Sequence, residues 1–156
     1  MSTALSDTDS EFVERMGLLA QSDGLPRITG RIWGLFMISG EDMLSFSDIA
    51  DALQISRGSV STNARTLVSL GVLERRARPG ERQDYYAIRD NPYLTLLETT
   101  LARQREKATM VRAASRAARR AGPKAKLAQL ADFYDALNEG LQSSLDTLEP
   151  TRRGER

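Results

Sequence analysis

Along most of this chain apolar residues recur at helical rather than alternating spacing, and glycine, proline or short polar stretches divide them. Residues 1–9 are polar and acidic and predict a disordered start. Residues 10–21 set Phe12, Val13, Met16, Leu19 and Ala20 near helical spacing, with Gly24 as a terminator. Pro26 then sits where a first helical turn accepts proline. Ile28, Ile32, Leu35, Phe36 and Ser39 line one face of a second helix, which Gly40-Glu41-Asp42 ends. Ser45 followed by Asp48 is a capping box and opens a third helix, with Ile49, Ala50 and Leu53 on its buried face. Gln54 and Ile55 form a turn. Ser56 caps a fourth helix with the stripe Val60, Ala64, Leu67 and Val68, and Gly71 closes it.

The pattern changes after Gly71. Residues 72–77 and 85–88 read as short strands, and Pro79-Gly80 between them signals a hairpin turn with an exposed basic loop. Tyr85 and Tyr86 alternate, so one is expected to face inward and the other outward. Asn91-Pro92 starts a long helix to about Ala121, with Leu94, Leu97, Leu101, Ala108, Val111 and Ala118 near heptad spacing, interrupted by Gln104 and Ser115. Gly122-Pro123 reads as a stop followed by a start. The last helix carries Leu127, Leu130, Tyr134, Leu137, Leu141, Leu145 and Leu148. Two long helices joined by a short turn make an antiparallel hairpin. Their apolar stripes require a partner, and a second copy of the chain is the simplest one. The fold class expected is mainly α with a small β-hairpin wing. A winged helix-turn-helix spans residues 10–90, a helical dimerisation region spans 91–149, and 150–156 form a flexible tail.

Composition narrows the chemistry. No apolar run approaches the roughly 18 residues that a membrane span needs, and the longest, Ile32 to Ile38, is broken by Gly34. The chain has no cysteine and no histidine. That excludes a disulfide framework, the usual zinc sites and Ser-His-Asp or Cys-His catalysis. Carboxylate or lysine chemistry is the remaining enzymatic route. The close acidic pair of the motif region, Glu81 and Asp84, falls on an exposed turn. The expectation is a cytoplasmic protein that is not an enzyme and uses no cofactor or metal.

The net charge of +1 hides a strong asymmetry. Residues 1–56 hold three Arg against nine acids, whereas residues 57–89 hold seven Arg against three. Residues 101–126 hold nine basic side chains and one acid. Such blocks point to a polyanionic partner. The second block is read as a solvated face, or one that meets the acidic N-terminal region of a second copy, in preference to DNA.

The first block coincides with the helix-turn-helix. A second helix of such a motif enters the major groove. With Val60, Ala64 and Leu67 inward, Arg57, Gly58, Ser61, Thr62 and Arg65 point outward. They are small, polar or basic groups at a helix N-terminus, which suits approach to bases and phosphates. Arg57 is the candidate for a guanine edge or a phosphate, and Ser59, Ser61 and Thr62 for phosphates or pyrimidine edges. Asn63 lies toward the buried side and reads as structural. Arg78 and Arg82 flank the wing tip, where an exposed Arg suits an A·T-rich minor groove. Asp84 is expected to orient a neighbouring Arg. A winged-helix module that binds protein instead of DNA is the alternative; a wing without Arg and an acidic second helix would favour it, and this chain has neither.

The order of elements resembles the MarR-type winged-helix regulators. Three stretches resemble their GbsR-type branch: Leu25-Pro26-Arg27-Ile28-Thr29-Gly30-Arg31-Ile32-Trp33-Gly34-Leu35, then Ile55-Ser56-Arg57-Gly58-Ser59-Val60-Ser61-Thr62-Asn63, then Gly80-Glu81-Arg82-Gln83-Asp84-Tyr85-Tyr86. The resemblance covers about residues 10–100. It implies a homodimer formed by the terminal helices, binding of double-stranded DNA and transcriptional control, often repression, sometimes relieved by a small molecule. On that resemblance Arg57, Ser59, Ser61 and Thr62 match recognition-helix positions and Arg82 the wing arginine. The branch implies a choline- or betaine-like effector held by aromatic side chains. Trp33, Phe36, Tyr85, Tyr86 and Tyr93 show no cage-like spacing, and these positions read as core.

Overall fold

The computed structural model describes residues 5–81 and 83–154, which form two compact units, one through Pro92 and one from Tyr93. The first unit begins with α1, Asp7–Ser22. Ser6 caps it, its hydroxyl accepting from the Asp9 N–H at 3.1 Å, and Asp7 and Asp9 in the first turn complement the helix dipole. The expected disordered stretch therefore needs correction, because residues 7–9 are helical; residues 1–4 lie outside the described residues. The next helix, α2, is Arg27–Ile38, with Pro26 at its cap position.

The two helices meet at glycine. A Cβ at Gly30 would lie 2.3 Å from the Met16 carbonyl oxygen and 2.9 Å from the Gly17 Cα, so the backbones touch where they cross. Around that contact α2 buries Thr29, Gly30, Ile32, Gly34, Leu35 and Phe36, a wider face than its large apolar residues alone predict. Glu14 of α1 bridges Arg27 at 2.6 Å and Arg31 at 2.7 Å. Arg31 also donates to the carbonyl of Leu53 at 3.0 Å.

A short strand, β1 (Leu44–Ser45), leads into α3 (Phe46–Leu53). The Ser45–Asp48 capping box is complete. The Ser45 hydroxyl accepts from the Asp48 N–H, and the Asp48 carboxylate accepts from the Ser45 N–H at 2.8 Å. Gln54 ends α3 in the left-handed region at φ 53°. Ser56 caps α4, Arg57–Ser69, which buries Val60, Asn63, Ala64 and Leu67, while Val68 is half-buried. The sheet is completed by β2 (Leu73–Ala77) and β3 (Asp84–Ile88) in the order β1-β3-β2, all antiparallel. Leu44 pairs with Tyr86, and Arg76 with Tyr85. Two residues are too few to show an alternating pattern, so β1 leaves no signal in the sequence.

Tyr85 and Tyr86 are both buried, at 4% and 1% exposure. The alternation is real, but both faces of the central strand are covered. Tyr86 packs edge-on against Phe46 with ring centroids 5.2 Å apart, and the Arg78 guanidinium lies 4.5 Å over the Tyr85 ring.

The second unit is an antiparallel pair, α5 (Pro92–Ala117) and α6 (Ala121–Gly154). Arg105 donates to Gln142 at 2.7 Å, and Arg112 pairs with Asp135, so the partner number falls as the α5 number rises. Leu94, Leu101 and Leu145 form the packed centre, flanked by Leu97 and Leu141. The break precedes Gly122-Pro123, which lie inside the first turn of α6, where a missing N–H costs no helical bond. The expected tail is likewise helical in its backbone as far as Gly154. Leu130 and Leu148 do not join the seam. They are 40% and 43% exposed, whereas Leu145 is buried as expected and Ala131, outside the expected stripe, is buried too. Apolar residues at spacings of three and four wrap around two faces of α6, and α5 covers one of them.

Candidate nucleic-acid interface

The start of α4 is built by its own hydroxyls. The Ser56 side chain accepts from the Ser59 N–H at 3.1 Å and donates to the Ser59 hydroxyl at 3.0 Å. Ser59 is half-buried and committed to this cap. Arg57, Gly58, Thr62 and Arg65 are exposed, and Ser61 is half-buried. Arg65 folds back along the helix, donating through its Nε to the Ser61 carbonyl at 3.0 Å and through a terminal nitrogen to the Ser61 hydroxyl at 2.9 Å. Arg57 donates to the Ser47 hydroxyl of α3 at 3.0 Å. A Cβ at Gly58 would meet only the Ser56 hydroxyl, at 3.9 Å. Nothing within the chain therefore requires glycine there.

Behind this face the helix is pinned. The buried Thr29 hydroxyl donates to Asn63 Oδ1 at 2.8 Å, and Asn63 Nδ2 donates to the Ser59 carbonyl at 2.8 Å. Asn63 is thus structural, as its inward position predicts. It couples α2 to the first turn of α4, so the outward groups project from a fixed helix.

The wing is a tight hairpin. Glu81 donates its N–H to the Arg78 carbonyl at 3.1 Å across Pro79 and Gly80, and Gly80 has φ +84°, the geometry of a type II turn. Arg75 pairs with Asp84 at 2.5 Å and Arg76 with Glu74 at 2.6 Å. Two of the four strand and tip arginines are thereby neutralised. Arg78 stacks on Tyr85, whose hydroxyl donates to the Glu81 carboxylate. That bond, reinforced by Gln83 and by the charge of Arg78, holds the Glu81 carboxyl below its ordinary value. Arg82 lies outside the described residues.

The starts of α3 and α4 and the base of the wing converge on an open hollow of about 450 Å³, lined by Phe46, Ser47, Arg57, Gly58, Gln83 and Asp84. Of the residues expected to contact DNA, the structure brings Arg57 and Gly58 to it. Ser47 and Gln83 line it too and carry no linear signal. Ser47 is ten residues from Arg57 in sequence, and only the helix-turn-helix geometry makes them neighbours. Among the described residues no cluster of acids suited to a metal ion is present.

Residues 23–84, which run from before α2 to the first residue of β3, match the model of the MarR family. This segment resembles a MarR-type winged helix. Two curated relatives also match part of the chain. The HTH-type transcriptional regulator MmpR5 of Mycobacterium tuberculosis is 40% identical over 83 residues, covering 53% of this chain and 50% of that protein. YvaV of Bacillus subtilis is 22% identical over 95 residues, covering 61% of this chain and 53% of that protein. The chain therefore spans about half the length of the curated relatives it matches. A crystal structure described as a transcriptional regulator superimposes with a TM-score of 0.80 at 27% identity, covering 96% of this chain and 99% of that one. The likeness to that structure thus extends beyond residues 23–84.

Proposed function

We propose that this chain is a sequence-specific, double-stranded-DNA-binding transcriptional regulator of the GbsR-type branch, acting in the cytoplasm as a repressor on a near-palindromic operator. One observation carries the reading. The first turns of α4 present Arg57, Gly58, Thr62 and Arg65 to solvent on a helix held from behind by Asn63, and an Arg-bearing wing lies beside the same hollow. Bulk is low, donors are many, and the helix dipole favours phosphate. The stretches at 25–35, 55–63 and 80–86 support the branch. Arg57, Gly58, Ser61, Thr62, Arg65, Arg78 and Arg82 are the residues assigned to DNA; Ser59 acts through the cap.

The homodimer in this reading is supported by faces that their own unit leaves uncovered. Phe12, Leu18 and Leu19 of α1 are exposed, as are Met110, Leu130, Phe133 and Leu148 of the hairpin. Relief by a small-molecule effector belongs to the same reading, with no residue assigned to it. Phe36, Tyr85 and Tyr86 are buried in the first unit, and Tyr93 of the second is exposed.

Binding to the DNA upstream of the protein's own and neighbouring genes, measured across a salt series, tests the proposal. Steep weakening with salt is expected, because phosphate contacts release counterions. Arg57→Ala should weaken operator binding about tenfold or more, the worth of one good base pairing, while the circular dichroism stays unchanged. Binding indifferent to salt and to sequence would overturn the reading.

A further inference from the structure

Residues 107–131 contain seven basic side chains and no acidic one. Arg112 is committed to Asp135. Arg116, Arg119, Arg120, Lys124 and Lys126 gather where α5 ends at Ala117 and α6 begins at Ala121. All five are exposed, and none makes an ion pair among the described residues. Arg119, Arg120 and Lys124 stand at the start of α6, where positive charge opposes the helix dipole and the first turn holds no acid. Like charges this close also repel one another. Arg116 in the last turn of α5 complements that helix's dipole, but the repulsion within the cluster and the opposed dipole of α6 remain, and an anionic partner would offset both.

The acidic first helix of a second copy is a poor match for that role. Glu14 already bridges Arg27 and Arg31, Glu11 reaches Arg15 at 3.8 Å, and Asp9 bonds Ser6. The composition around the cations speaks for a uniform polyanion. Residues 112–132 contain no aromatic side chain. Unpaired bases would find no ring to stack on, and a membrane interface no aromatic anchor. Small residues, Ala, Gly, Pro and Ser, separate the cations. A surface that offers charge and little else suits the phosphates of a duplex, which are closely spaced along the helix and alike in every sequence.

We infer that the α5–α6 turn is a second, sequence-independent contact for the phosphate backbone of duplex DNA. It rests on the proposed function only in taking DNA as the polyanion, and it does not depend on α4 as the reading helix. The test uses the full chain and a short random-sequence duplex, titrated by fluorescence anisotropy from low to physiological salt. The variant R116Q/R119Q/R120Q/K124Q/K126Q should bind at least tenfold more weakly at low salt. Its slope of log affinity against log salt should fall by about 0.9 for each phosphate that the turn no longer neutralises. The charge-preserving variant R116K/R119K/R120K should retain both affinity and slope. Arg57→Ala should leave the contribution of the turn to random-duplex binding in place. Unchanged affinity and slope in the glutamine variant overturn the inference, even where Arg57→Ala abolishes operator binding. So does a glutamine variant whose DNA-free form sediments as a smaller species, since the cations would then meet another copy. Weakened binding confined to the glutamine variant supports the inference even if Arg57→Ala has no effect on the operator.

Discussion

The winged-helix unit and the helical hairpin are held together by different interactions. In the first, the buried polar residues Thr29, Ser45 and Asn63 are all hydrogen-bonded, each bond fixing the start of a helix or the crossing of two. Both units also hold buried polar atoms without a hydrogen-bond partner, Trp33 Nε1 and Arg89 Nε in the first and Gln104 Oε1 and Asn138 Oδ1 in the hairpin, but the hairpin's α6 carries an apolar face that α5 does not cover. Unpaired buried acceptors and open apolar faces both cost free energy. The difference teaches that internal hydrogen bonds fix the helix starts of the first unit, whereas the hairpin rests on apolar packing that leaves one face of α6 open.

Glycine offers the sharpest way to break this contrast, with the largest expected effect. Gly30→Ala drives a Cβ into the Met16 carbonyl and the Ala20 side chain, so it should destabilise the protein by about 3 kcal/mol, the upper range for overpacking. Gly140→Ala in α6 meets nothing within 4 Å and should stabilise by about 0.5–1 kcal/mol through helix propensity. Urea denaturation of the two variants should move the midpoint in opposite directions. Equal and small effects would show that α1 and α2 can separate without cost.

The hairpin's open face comes next. Phe133 is 58% exposed, so Phe133→Glu should leave the helices intact. If that face meets a second copy, the dimer dissociation constant should rise about tenfold or more, a weakening of at least roughly 1.4 kcal/mol. Sedimentation velocity at several concentrations measures it. A dimer as tight as the wild type places the interface elsewhere and removes half of the contrast.

Legibility in the sequence follows the same division. Ser45–Asp48, Ser56 and Gly71 are local signals whose chemistry acts within a few residues, so the helix-turn-helix and its inward stripe are readable. Pro79-Gly80 places the wing turn for the same reason. What escapes a linear reading are facts that need the third dimension. The Ser47–Arg57 bond joins two helices, the burial of Tyr85 depends on Arg78 folding over it, and the closeness of α1 and α2 depends on Gly17 and Gly30 meeting. In the hairpin the repeat of Leu and Ala suits more than one face, so periodicity alone assigns Leu130 and Leu148 to a seam they do not enter. Gly122-Pro123 likewise suggests a helix break at its own position, although a proline in a first turn is tolerated and the break lies just before it.

The smallest effect expected concerns the local signals themselves. The hydrogen bond from the Ser45 side chain, and then that from the Ser45 N–H, hold the Asp48 carboxyl below its ordinary value of 3.8. A carboxylate whose folded value is lowered binds its proton less readily than in the unfolded chain. The stability it contributes is therefore fully present above the unfolded value and is lost as pH falls through the folded one. Because Asp48 is exposed, the contribution should stay below about 1 kcal/mol. Asp48→Asn should accordingly be less stable than the wild type at neutral pH, and the gap should close below about pH 4. Urea midpoints of both proteins between neutral pH and pH 3 measure this. A gap that persists undiminished to pH 3 would mean that the side chain acts through its shape and neutral hydrogen bonds. The capping box would then owe nothing to charge, and the winged-helix unit would be held at this corner by the same uncharged packing that dominates the hairpin.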